Sequence, residues 1–155
     1  MSIEKFIERA LELASDNVSS GGGPFGAVIV KNNVTIGEGV NLVLQTNDPT
    51  AHAEVVAIRN ASKNVSSFDL SGSIIFCSSE PCPMCLSAIY WSKIDSIYFA
   101  NDRSVAADAG FQDEFIYQEI VRPLALRQKS IIKINNSNAH SPFRMWNDKS
   151  DKMMY

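Results

Sequence analysis

Ile3, Phe6, Ile7, Ala10, Leu11 and Ala14 recur at helical spacing, which predicts an amphipathic helix over residues 3–16. The run Ser19 to Pro24, "SSGGGP", breaks it. "FGAVIVKNNVTIGEGVNLVL" then reads as two β-rich runs joined at Asn32-Asn33, a hairpin. "NDPT" is a turn, and Thr50 is the expected N-cap of a helix from Ala51 to about Lys63. "SIIFCS" is a short buried strand, and a helix is expected to open at Pro83, directly after Cys82. Ile94 to Ala100 is a further strand, residues 103–120 carry helical pieces, and Ser130 to Asn135 is a last strand. Ser141-Pro142 supplies an N-cap and first-turn proline for a C-terminal helix over residues 141–152, followed by a tail at 153–155. Strands alternating with helices predict an α/β chain with a central five-stranded, mostly parallel sheet, opened by one antiparallel hairpin and covered on both faces.

Composition narrows this only slightly. A chain of 155 residues, 45% hydrophobic and 20% charged, reads as one globular domain over 1–155. The net charge of −3 offers no general attraction to nucleic acid. Three cysteines, an odd number, argue against a disulfide framework. The first fourteen residues intersperse charges among apolar positions, unlike a signal peptide, and no run reaches membrane-spanning length. A cytoplasmic setting with free thiols is the expectation.

Those thiols matter because of where two of them fall. His52-Ala53-Glu54, then Pro81-Cys82-Pro83-Met84-Cys85 with Cys82 thirty positions after His52, is the H-x-E…P-C-x-x-C arrangement of zinc nucleobase deaminases. The chemistry stands without the name. Cys82 as N-cap and Cys85 at the third helical position put both sulfurs off one helix end, and His52 lies in the first turn of another. Two helix N-termini aimed at one point favour thiolates. One nitrogen and two sulfurs are three ligands. A structural zinc site closes with four, whereas a catalytic one keeps a place for water, whose pKa zinc lowers to ~7. Glu54, free of the metal, is then placed to move that water's proton. Cys77, in an apolar strand, is the one rival for a fourth ligand, and His140 reads as a loop residue. A non-catalytic zinc module is the reading from another class.

"GGPFGAVIVK", "NDPTAHAEVVAIR", "EPCPMCLSAIYW", "AGFQDEFIY" and "SPFRMW" together resemble the cytidine deaminase-like superfamily, and within it the bacterial guanine deaminases. The resemblance spans residues 22–146 and implies a three-layer α/β/α sandwich, one zinc per subunit and a homodimer. It implies a purine base as partner, with neither nucleic acid nor membrane. Phe25 and Trp91 become candidates to stack on the base, with core packing as the alternative for each and equally good for Trp91. Asn41 becomes a candidate hydrogen-bond partner, and Ala53 and Tyr155 further substrate contacts. The resemblance favours Asp113 over its neighbour Glu114 as the inward carboxylate. An ionised carboxylate only accepts, so it suits the N1–H and 2-amino donors of guanine and faces an acceptor on adenine. A backbone carbonyl near Glu80 is placed to hold the departing nitrogen. The apolar "MMY" end is expected to fold over a pocket, its own or a partner's. A tRNA adenosine deaminase shares the zinc triad, but the tail interleaves Asp148 and Asp151 with lysines and shows no basic stripe. Guanosine and other amino-heterocycles remain alternative substrates.

Overall fold

The structure, a computed structural model, describes residues 3–155. It resolves into two compact units, one running to Tyr117 and one from Gln118 to Tyr155.

The first unit is built on β1 (Gly26–Lys31), β2 (Val34–Val40), β3 (Ser73–Ser79) and β4 (Ser96–Asn101), in the order β2-β1-β3-β4. Asn32 and Asn33 both have positive φ, as the tight turn of the β1–β2 hairpin requires. β1 is antiparallel to both β2 and β3, and β3 is parallel to β4. The sheet is thus mixed and four-stranded. Two of its three pairings are antiparallel, because β1 lies between two strands that run the other way. Helix α1 (Ile3–Ser19) covers one face; its Phe6 and Ala10 pack with Val28, Val30 and Phe76. On the other face Ala27, Ile29, Ile75 and Cys77 meet Ala53, Ala57 and Ala61 of α3 and Ile89 of α4. Alternate residues of β1 and β3 therefore serve opposite faces, as strand periodicity dictates.

Between β2 and β3 lie a four-residue helix α2 (Val43–Thr46) and the long α3 (Ala53–Val65). Helix α4 (Pro83–Trp91) joins β3 to β4. Helix α3 starts two residues later than the sequence predicts, with His52 as its extended N-cap. Thr50 is occupied elsewhere: its N–H and hydroxyl both donate to Asp48 Oδ1, at 2.8 and 2.6 Å, in a separate turn. Gly37 and Gly39 let β2 run against α3. A Cβ on Gly39 would collide with the Ala53 carbonyl and Ala57 N–H, and one on Gly37 would come within 2.6 Å of the Ala57 carbonyl. After β4 come α5 (Arg103–Asp108) and α6 (Asp113–Val121).

The second unit contains α7 (Ser141–Asp148). His140, rather than Ser141, is its N-cap residue, and the backbone turns extended at Lys149. The fifth strand expected at Ser130 to Asn135 is absent: that segment carries no ladder, since its own unit has no other strand to pair with.

Candidate active site

The local sequence aims two helix starts at one place. Cys82 caps α4 in extended conformation, Pro83 fills the first helical position where no N–H is needed, and Cys85 follows one turn in. His52 caps α3 in the same way. Its Nδ1 lies 3.6 Å from Cys82 Sγ and 3.6 Å from Cys85 Sγ. The three donor atoms lie within 4.8 Å of one another, and they are the group among the described residues able to hold a metal ion. The donor set fits a borderline-soft divalent cation: one imidazole and two sulfurs, largely buried, at two positive helix ends. Cys77 is not part of the group. It packs between the sheet and α3, and burial keeps its thiol protonated, far above its ordinary pKa.

The electrostatics favour a sulfur anion at Cys82. The hydrogen bond from Cys85, helped by His52, holds the Cys82 thiol down at about 4. Cys85 is pushed up because it shares its proton with that thiolate. The same thiolate raises His52 above its ordinary value. Glu54, one helical step inside α3, is 7% exposed, and burial pushes its carboxyl up to about 7.

A cavity of about 580 Å³ opens over this group, and His52, Glu54 and Cys82 contribute to its wall. Phe25, Asn41 and Asp113 reach the same cavity. Burial raises Asp113 above the ordinary carboxylate range. Glu114 turns away to Arg103, 2.9 Å distant, so of these two neighbours Asp113 is the one on the cavity. The Phe25 ring is met edge-on by Phe111 at 4.8 Å between centroids. Two expected contacts fall elsewhere in the first unit. Trp91 ends α4, about 13 Å along the helix from Cys82 by helical rise, and is 67% exposed. The helix that puts Cys82 at one end necessarily carries Trp91 to the other. Ala53 is fully buried beneath β2 rather than on the cavity wall. Tyr155 belongs to the second unit, where its ring meets Trp146 edge-on at 6.5 Å.

Sequence reasoning missed what holds these walls. Asn17, buried in α1, donates from its amide to the carbonyls of Gly23 at 2.8 Å and Asn41 at 2.9 Å, tying the loop before Phe25 to the loop that presents Asn41. Gly22 is needed there, since a Cβ would strike the Asn17 side chain. The triple glycine was a visible signal of such a close approach. Phe111 and Glu80, which also line the cavity, had no periodic signal to reveal them.

Comparison with known proteins agrees with this geometry. Residues 1–101 match the cytidine and deoxycytidylate deaminase zinc-binding region. The chain is 46% identical to the guanine deaminase of Bacillus subtilis (strain 168), over 100% of both chains. The crystal structure of guanine deaminase from that species superposes with a TM-score of 0.97, over 100% of this chain and 99% of that one. A solved complex with 8-azaguanine is 29% identical, with a TM-score of 0.70 over 72% of this chain and 65% of the other. A tRNA-specific adenosine deaminase of Haemophilus influenzae is 44% identical over 107 residues, 67% of this chain and 61% of its own. The chain belongs to the cytidine and deoxycytidylate deaminase zinc-binding family.

Proposed function

We propose that the chain catalyses the hydrolytic deamination of guanine to xanthine and ammonia. The observation that carries this reading is the placement of Asp113 on the same cavity as Glu54 and the His52–Cys82–Cys85 group. Full-length identity to a guanine deaminase and the 8-azaguanine complex of a more distant relative support the choice of a purine.

His52, Cys82 and Cys85 would hold one zinc ion, which supplies Lewis acidity and lowers the pKa of a coordinated water. Phe25 stacks on one face of the base, and Asn41 offers its amide to the polar edge. Asp113 accepts from N1–H and the 2-amino group, and this fixes C2 toward Glu54. Glu54 Oε takes a proton from the attacking water and returns it to the ring nitrogen. Glu54 then takes the proton of the new C2 hydroxyl and delivers it to the 2-amino group. The C2–N bond then breaks, leaving the C2 carbonyl of xanthine and ammonia. On adenine Asp113 would face a ring acceptor, at a cost of about 1–3 kcal/mol for the unpaired group.

The chain works as a homodimer in this reading. Among the described residues of the second unit only Glu119 is buried, while Ile132, Ile134, Phe143, Met154 and Tyr155 are each about 70% exposed or more. So much apolar surface calls for a cover, and a second copy of the chain is the cover proposed, with the 153–155 tail closing over a cavity. Free cysteines suit the reducing cytoplasm, and no described helix is long and apolar enough to cross a membrane.

The likeness to tRNA deaminases favours one second reading, deamination of adenosine in tRNA. Mixing purified protein with guanine and following the ultraviolet spectrum separates the two. Conversion to xanthine is expected. A protein inert toward guanine that binds tRNA in a salt-sensitive manner would replace the first reading with the second.

A further inference from the structure

Arg103 joins the two sides of the cavity. Its Nη2 donates to Glu80 Oε1 at 2.7 Å, its Nε lies 3.2 Å from both Glu80 oxygens, and its backbone N–H donates to Glu80 Oε2 at 3.0 Å. From the same guanidinium, Nη1 donates to Glu114 Oε2 at 2.9 Å, and Cζ lies over the Tyr117 ring, 4.0 Å from its centre. The Tyr117 hydroxyl donates to the Pro81 carbonyl at 2.8 Å, closing the circuit. One end of this clamp, Glu80-Pro81, runs directly into the ligand Cys82. The other end, Glu114 and Tyr117, lies in the first turns of α6, whose first residue is Asp113. A guanidinium can hold both ends at once because its donors fork in a rigid plane while its face stacks on an aromatic ring. A flexible ammonium cannot do both.

We propose that Arg103 is a positioning residue for purine selectivity. By fastening the start of α6 to the Glu80-Pro81 segment, it fixes how far Asp113 stands from the metal-binding group. That distance decides whether one base can meet Asp113 and Glu54 together. The inference rests on the guanine reading above and adds the residue that enforces it. Arg103 does not line the cavity. Its loss therefore acts on recognition of the donor edge rather than on the proton transfers at Glu54.

The test is R103Q, assayed beside the wild type for xanthine formation, with adenine as a competitive inhibitor, zinc content and melting temperature measured on the same samples. We expect the KM for guanine to rise about tenfold while kcat stays within a few-fold and the adenine inhibition constant falls, because the donor-edge contact to guanine is lost and the acceptor facing adenine is withdrawn with it. R103K, which keeps the charge but not the fork, should lie between the two. E114Q cuts one arm while leaving the Glu80 pair; it should shift KM in the same direction by less, and it decides the question if R103Q fails to fold. A guanine KM unchanged in R103Q, or guanine and adenine weakened equally, overturns the proposal while leaving the activity standing. A wild-type protein that makes no xanthine overturns the substrate reading and this inference with it.

Discussion

Glu54 follows the N-cap His52 by two residues, and that spacing sets its chemistry. A residue at the second helical position lies beside the donor cluster, where its carboxyl meets Cys85, and shares the cavity with His52 and Cys82. Burial pushes the Glu54 carboxyl up, and its place on the cavity beside the donor cluster suits a group that both takes and gives a proton. E54Q keeps the size and hydrogen-bonding ability of the side chain but not its basicity. We predict a fall in kcat of about 10²–10⁴-fold, with guanine binding by calorimetry largely retained. Loss of binding in step with kcat would mean that Glu54 holds the base rather than moving protons. At this scale the sequence was informative where spacing encodes direction: His52, Glu54, Cys82 and Cys85 all lie on two helix starts readable from Pro83 and the H-x-E triplet. It was uninformative where direction depends on a partner far along the chain. Asp113 and Glu114 differ by one position, and only the Glu114 contact with Arg103 shows which of them faces the cavity.

The helices are placed by what the strands omit. Gly39 leaves the Ala53 carbonyl room to sit on β2, and Ala57 and Ala61 continue that close seam. Helix α3 is therefore held near the sheet over the length that carries His52 and Glu54. G39A should cost about 1–3 kcal/mol by overpacking and should lower zinc occupancy or kcat, because α3 must move away to admit the methyl group. Chemical denaturation and metal analysis check this. A variant as stable and as active as the wild type would show that the seam does not set the site. The strand and helix order of the first unit was legible from apolar periodicity and turn residues, down to the Asn32-Asn33 hairpin. The start of α3 was not, because Thr50 and His52 are both acceptable N-cap positions and Asp48 claims the Thr50 hydroxyl. Nor was the antiparallel β1–β3 pairing, since strand order across a sheet is not written in the period of any one strand.

For the chain as a whole, the expected fifth strand is the instructive miss. Ser130 to Asn135 has the composition of a strand, with Ile131, Ile132 and Ile134, yet a strand exists only by pairing. Those isoleucines, together with Phe143 and the terminal Met153, Met154 and Tyr155, are exposed in the chain taken alone. Sedimentation should therefore give a dimer. Deleting residues 153–155 should reduce turnover more than melting temperature. A monomer at micromolar concentration, or full turnover after the deletion, would remove the lid and the partner from the account. The central claim is that three side chains hold a metal on which guanine hydrolysis depends. It is tested most directly by measuring the initial rate of xanthine formation from guanine through chelation and readdition of zinc. The rate is predicted to fall to background when metal is stripped and to return at one equivalent of zinc per subunit. A metal-free protein that still forms xanthine at the original rate would contradict it.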